Sequence, residues 1–275
     1  MIPKSRQEPT PTRILQVTDT HLFSHPEGTL VGMNCDEGLR DVLDLVRQRE
    51  LTAATPPALL LFTGDASQDN SPASYQRLDA LLGSLPLPHY WIPGNHDELA
   101  LMKAAVGTDN ACFRSSIGVG NWRIILLNSS VAGKVHGCLA DAELARLRAA
   151  MQEAEEEHLL IALHHNPVPV AAEWLQRHAL QNPEALFAEL DVQPKVRAVI
   201  FGHIHHELRV SRKGVTILGS PSTCVQFHPS SRDFALDDLN PGYRWLALYP
   251  DGRLQTGVHR VEGKRSALDF SGVGY

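Results

Sequence analysis

Five short segments of this chain place metal-binding side chains directly after apolar runs: Asp19-Thr20-His21, Gly64-Asp65, Gly94-Asn95-His96-Asp97, His164-His165 and Gly202-His203-Ile204-His205. Carboxylate, imidazole and carboxamide donors suit borderline divalent ions such as manganese, iron or zinc. The lack of cysteine among them argues against a thiolate-rich structural zinc site. The donors suffice for two adjacent ions. Two ions roughly 3.5–4 Å apart need an anion between them. Asp65, with Gly64 before it to let backbone and metal approach closely, is the natural bridge. Such a pair polarises a phosphoester and activates water, so the chemistry implied is phosphoester hydrolysis. Singly, the segments say little: Asp19-Thr20-His21 reads as readily as a polar turn, and Gly64-Asp65 as the turn that ends a strand. The histidines at 203 and 205 are more specific, because alternate residues of an extended loop can address two ions. The ordered set carries the argument.

Periodic patterns stand behind these segments. Residues 13–18 (RILQVT), 58–62, 90–92, 123–127, 159–163 and 196–201 read as strands. Residues 36–49 carry Leu39, Val42, Leu43 and Val46 at helical spacing, with Asp36 as N-cap. Residues 71–82 read as a second helix, and 141–157 as an amphipathic third with Leu144, Leu147 and Met151 on one side. From Glu207 the pattern changes to hairpins, 208–210 with 215–218 around Lys213-Gly214, and 244–249 with 254–261 around Asp251-Gly252. Strands alternating with helices predict an α/β fold, whose ligands collect beyond the carboxyl ends of the strands. All five segments sit at such ends. Residues 1–12 are expected to form a flexible leader, 13–262 a single domain, and 263–275 a tail that wraps the surface or is mobile.

A chain of 275 residues, 43% hydrophobic and 20% charged, can bury a large core. Its net charge of −6 leaves no basic footprint for a nucleic-acid polymer, whereas bound cations would reverse the local sign for a small anion. Residues 1–11 are polar and proline-containing, unlike a signal peptide. Apolar runs such as 58–62 are far too short to cross a bilayer, so no stable membrane insertion is expected. Cys35, Cys112, Cys138 and Cys224 show no close spacing and are expected as free thiols of a cytoplasmic protein. Nothing in the sequence fixes an oligomeric state.

The order D-x-H, G-D, G-N-H-D, H and G-H-x-H over residues 19–205 resembles the calcineurin-like metallophosphoesterase superfamily. Residues 14–23 (ILQVTDTHLF), 64–69 (GDASQD), 164–167 (HHNP), 222–227 (STCVQF) and 241–245 (PGYRW) are similar to bacterial class III cyclic nucleotide phosphodiesterases of the cyclic AMP type. The resemblance implies a four-layer αββα sandwich, here with a C-terminal hairpin region. It implies that Asp19, His21 and His205 hold a first metal, that Asn95, His164 and His203 hold a second, and that Asp65 bridges them. The implied ions are iron and/or manganese, with zinc as an alternative. The implied substrate contacts are Asn95, His96, His165 and His205, with His96 off the metals and facing the phosphate. Asn166 departs from the proline common there in the family, a change expected at the pocket rim.

On that reading the chain hydrolyses 3′,5′-cyclic AMP to 5′-AMP and lowers a second-messenger signal. A hydroxide bridging the metals would attack in line with the 3′-oxygen. Two divalent ions, less two carboxylates and the hydroxide, leave about one positive charge, which suits a singly charged diester. His96 is the expected proton donor to the departing oxygen, and Asp97 the group that orients its imidazole or raises its pKa. His165 and His206, each beside a ligand histidine, read equally as supports behind it. Phe227 with His228-Pro229 reads as a stacking surface for the base or as core. The alternatives are a broader esterase acting on 2′,3′-cyclic nucleotides or other phosphodiesters and monoesters, and a non-catalytic interaction scaffold. A scaffold has no need of His96 and the full ligand set.

Overall fold

Alternation along the apolar strands sorts the core of this protein into layers. A computed structural model describes residues 9–263 and 268–272. In chain order, β1 (Thr12–Val17), the short β2 (Thr29–Leu30) and β3 (Met33–Asn34), α1 (Cys35–Arg49), β4 (Leu59–Phe62), α2 (Pro72–Gly83) and β5 (His89–Trp91) come first. There follow α3 (Leu99–Val106), β6 (Ser116–Val119), β7 (Trp122–Leu126), α4 (Asp141–Glu153), β8 (His158–Ala162), α5 (Glu173–Gln176), α6 (Pro183–Asp191) and β9 (Val196–Phe201). The chain closes with β10 (Leu208–Arg212), β11 (Val215–Gly219), the short β12 (Gln226–Phe227) and β13 (Leu236–Asp237), β14 (Gly242–Leu248) and β15 (Leu254–Arg260).

Two sheets result. One has the order β15-β14-β1-β4-β5 and the other β10-β11-β9-β8-β7-β6. Between them lies a layer of Ile14, Leu59, Leu61 and Leu246 from the first sheet and Ile124, Leu160, Ile200 and Leu218 from the second. The alternate residues Leu15, Val17, Leu60 and Phe62, and Leu159, Ile161, Val199 and Phe201, join the cluster that holds the apolar faces of the helices. Helices α1 and α2 join parallel neighbours of the first sheet, and α4 and α6 join those of the second. Their crossovers therefore cover the outer faces, giving α, β, β and α layers. The strands are buried on both faces, which is why they read as continuous apolar runs.

The C-terminal hairpin is part of the first sheet. β14 lies antiparallel beside β1 with Thr12 opposite Leu248 and Gln16 opposite Arg244. From β14 the fully buried Arg244 donates through Nη2 to Gly219 O at 2.7 Å and through Nε to Ser220 Oγ at 3.1 Å. Ser220 Oγ in turn donates to Gln16 Oε1 at 2.5 Å, and Gln16 Nε2 donates to Thr63 Oγ1 and Phe201 O. This buried network ties the two sheets together directly beneath the loops that follow β1, β4 and β9. Burial holds the Arg244 guanidinium down at about 10, still charged at neutral pH.

Several boundaries differ from expectation. Asn34, not Asp36, caps α1, accepting from Glu37 N–H at 2.9 Å. Asp36 lies inside the first turn, where its carboxylate takes Arg40 instead. α4 stops at Glu153 rather than 157, because Glu156 turns aside to pair with Arg123 at 2.8 Å. Residues 1–8 of the expected leader lie outside the described residues, and Thr12 is already in β1. Of the expected tail, 264–267 and 273–275 also lie outside them, while Asp269 N–H donates to Val31 O at 2.9 Å. All four cysteines are free, although the buried Sγ atoms of Cys35 and Cys224 meet at 3.1 Å across a sequence distance that hid them. Among the described residues no helix is long and apolar enough to cross a membrane.

Candidate dimetal active site

Parallel strands β1, β4 and β5 of one sheet, and β8 and β9 of the other, deliver Asp19 and His21, Asp65, Asn95 and His96, His164, and His203 and His205 to one place. The loops after β1 and β4 are laced by Asp19 N–H to Gly64 O and His21 N–H to Asp65 O, at 2.9 and 3.0 Å. Five of the eight non-glycine residues with positive φ among those described are in this group: Asp19 (55°), His21 (46°), Asp65 (55°), His203 (70°) and His205 (49°). Left-handed backbone at such residues costs on the order of 1–3 kcal/mol each and persists only where the surroundings enforce it. Here it turns successive side chains inward. Gly94 is obligatory: a Cβ there would lie 2.0 Å from Asp65 Oδ1.

The outer nitrogen of each of three imidazoles is committed to the protein. Nδ1 of His21 donates to Gln68 Oε1 at 2.7 Å, that of His164 to Thr63 O at 2.7 Å, and that of His205 to Val225 O at 2.9 Å. Their Nε2 lone pairs therefore face inward. His21 Nε2 and His205 Nε2 stand 3.2 Å apart, and His164 Nε2 lies 3.2 Å from Asn95 Oδ1 and 3.3 Å from Asp65 Oδ2. Two neutral imidazoles that meet through Nε2, as His21 and His205 do, repel unless a proton or a cation sits between them. His203 Nε2 is buried without a partner among the described residues, while its backbone N–H donates to the Asp19 carboxylate. The donor set fits divalent metal.

Electrostatics agrees with this. Among the described residues the only ion-pair partners of Asp19 and Asp65 are histidines. Burial pushes the Asp65 carboxyl up, but His164 and His96 outweigh it and hold it well below the usual range. Asp19 is likewise lowered, against burial, by His205 and His164. Burial pulls His164 down, yet Asp65 and Asp19 lift it to about 9, whereas burial leaves His21 at about 3. Two ionised carboxylates in so buried a place need positive charge beside them. Asp65 Oδ2 lies 3.3 Å from His164 Nε2 and 3.8 Å from His21 Nε2, between the two halves of the cluster.

Three side chains are placed differently from the sequence reading. Asp97 does not orient His96. Its carboxylate accepts from the N–H groups of Ala66 (3.0 Å), Ser67 (3.1 Å) and Gly94 (2.9 Å), clamping the Asp65 loop to the Asn95 loop. Burial, then the Asp65 charge, raise its pKa to about 6. His165, expected at the substrate, has both ring nitrogens occupied, by Ser129 Oγ at 2.8 Å and Val135 O at 3.1 Å, and is fully buried. His205 is also fully buried, because Phe227 stacks flat on it with centroids 4.0 Å apart and planes at 10°. That contact uses one face of Phe227. His96 does reach the cavity: its backbone N–H donates to Asp65 Oδ1 at 2.9 Å and its ring stands edge-on to His21 at 4.9 Å.

A cavity of about 620 Å³ opens over these groups. Asp65, Asn95, His96 and His203 form its floor, and its walls come from residues 133–135, Trp174 and Phe234. The wall residues escaped the sequence reading because no strand end or periodicity marks them.

The model of the calcineurin-like phosphoesterase family matches residues 12–207, a span that contains every one of these loops. The chain belongs to that family. Among calcineurin-like phosphoesterases it is 43% identical over 263 residues to the 3′,5′-cyclic adenosine monophosphate phosphodiesterase CpdA of Pseudomonas aeruginosa, covering 95% of this chain and 94% of that one. It is 40% identical over 266 residues to the protein of the same name from Escherichia coli, covering 96% and 94%. A dimetal phosphatase from Danio rerio shares its fold, with a TM-score of 0.63 over 93% of this chain and all of the other, at 16% identity. In this calcineurin-like phosphoesterase, Val225, Phe227 and Arg244, which support the site from behind, fall after the matched span.

The Asp97 clamp carries a prediction. In Asp97→Asn one acceptor becomes a donor facing backbone N–H groups, so stability should fall by about 1–3 kcal/mol. For a chain of this size that lowers Tm by roughly 2–4 °C per kcal/mol. Calorimetry showing an unchanged Tm would mean that the loops do not depend on this carboxylate.

Proposed function

We propose that this chain is a dimetal phosphodiesterase that hydrolyses 3′,5′-cyclic AMP to 5′-AMP. The observation that carries the reading is the inward convergence of histidine Nε2 atoms and two ionised carboxylates at and beneath the floor of a nucleotide-sized cavity. The named activity of relatives matching nearly the whole chain supports the substrate. Asp19, His21 and His205 would hold one ion and Asn95, His164 and His203 the other, with Asp65 between them. Iron and/or manganese, or else zinc, suit these donors. Bound there, two divalent ions supply positive charge to the phosphoryl oxygens and lower the pKa of water.

The rest falls to the side chains. Gln68, Thr63 and Val225 fix the three imidazoles in the tautomer that presents Nε2. Water adds to phosphorus, the bond to the 3′-oxygen breaks, and that oxygen takes a proton from the imidazole of His96. Asp97 and Gly94 keep the His96 loop packed on Asp65. His165 braces residue 135 of the cavity wall from behind rather than touching substrate. The four free cysteines are compatible with the reducing cytoplasm in which we place the enzyme.

Product analysis tests the proposal. Purified protein loaded with Mn²⁺ or Fe²⁺ is incubated separately with 3′,5′-cyclic AMP, 3′,5′-cyclic GMP and 2′,3′-cyclic AMP. The expected result is 5′-AMP from the first, abolished by chelator. Preferential turnover of the 2′,3′-cyclic nucleotide would instead favour the broader esterase.

A further inference from the structure

Three aromatic rings stand together beside the metal-ligand histidines, and only one of the three is fully used by the site described so far. Phe227 lies flat on His205 and is buried. Trp174 meets Phe227 edge-on at 5.0 Å and 74°, and Phe234 meets Trp174 at 5.2 Å and Phe227 at 5.6 Å, again near right angles. Trp174 and Phe234 are half-buried and line the cavity. Among the described residues the Trp174 indole N–H has no hydrogen-bond partner, so a polar contact does not explain the residue. The ring itself is what the position uses.

The group is rigid. Phe227 belongs to the β12–β13 ladder, whose loop carries Phe234, and Glu173 N–H donates to Ser231 O in that loop at 3.0 Å. The edge-on contacts fix the indole plane. Two successive contacts, of 5.0 and 4.0 Å, place the Trp174 ring within 9.0 Å of the His205 ring. A single ribose bridges a span of that order between a base and its phosphate.

We infer that Trp174, backed by Phe234, is the platform on which the nucleobase of the substrate stacks, making it a specificity-determining residue for nucleoside over simple phosphodiesters. The inference rests on the proposed cyclic-nucleotide activity and goes beyond it by placing the base. Phe227, the aromatic that the sequence brings to mind for this role, has one face occupied by His205 and acts as the spacer between base and metal ligands. Every base presents a π-face, so this platform holds purines without reading their edges.

The test compares cyclic AMP with its base-free counterpart, methyl riboside 3′,5′-cyclic phosphate, on the metal-loaded enzyme. Trp174→Ala should lower kcat/KM for cyclic AMP by about 10- to 100-fold, the usual worth of a base–aromatic stack, and chiefly through KM. Turnover of the base-free ester should stay within about threefold, which also shows that the variant is folded. Trp174→Phe should recover most of the loss. An equal loss on both substrates would make Trp174 a structural residue and overturn the inference, as would an undiminished rate on cyclic AMP. A wild-type protein that leaves cyclic AMP intact overturns the functional proposal itself, a result distinct from either.

Discussion

His96→Ala is expected to lower kcat for cyclic AMP by about 10²–10⁴-fold, the range associated with loss of a general acid, while metal content stays at that of the wild type. The split follows from where the residue sits. Its backbone N–H is anchored on Asp65 Oδ1, and its ring lines the cavity edge-on to His21. The anchor survives truncation of the side chain, so the ligand loop keeps its shape. The ring forms a further possible metal group with His21 and Asp65, but the His21–Asp19–His205 and Asp19–Asp65–His164 groups are each complete without it. Its removal therefore deprives the departing 3′-oxygen of a proton without opening a coordination position. Steady-state kinetics beside metal analysis reads both halves. Turnover within a few-fold of wild type would remove His96 from the mechanism.

Asp65→Ala should have the larger effect, with both ions lost together and activity reduced by more than about 10³-fold. One Asp65 oxygen stands between His164 and His21, and the other accepts from His96 N–H. Deleting the carboxylate removes a negative charge placed between the two halves and releases the loop that bears Asn95 and His96. Asp65→Asn separates these effects. It preserves volume and an acceptor for His96 N–H but removes the charge. It should therefore keep the thermal stability of the metal-free protein and still fail to retain metal. Two equivalents of metal bound by Asp65→Ala after dialysis would refute the bridging role.

The convergence of the proposed ligands was legible in the sequence because each donor ends an apolar strand, and parallel strands in two facing sheets must bring such ends together. Asp19, Asp65 and His164 needed no side-chain geometry to be found. Asp97 was misjudged because adjacency to His96 says nothing about direction: the turn after Gly94 points its carboxylate back at three backbone N–H groups. His165 was misjudged for the same reason, its neighbour His164 facing in while it faces Ser129 and Val135. The cap of α1 lay one residue outside the helix at Asn34, where Asp36 was an equally good candidate by type. The aromatic wall at Trp174 and Phe234 was beyond reach, since it exists only through contacts between segments about sixty residues apart in sequence.

The pairing of β14 with β1 has a consequence for how the protein is made. β1 is complete at Val17, but the strand that covers its outer edge starts at Gly242. At roughly 5–20 residues per second, a ribosome takes about 10–50 s to bridge that gap. Throughout it the nascent chain carries an open strand edge, a template for mispairing that chaperones would have to shield. Arg244 arrives with β14, so the buried link through Ser220 and Gln16 closes last. Metal capture should accordingly be a late event in biosynthesis, following the final hairpin rather than the first ligands to leave the ribosome.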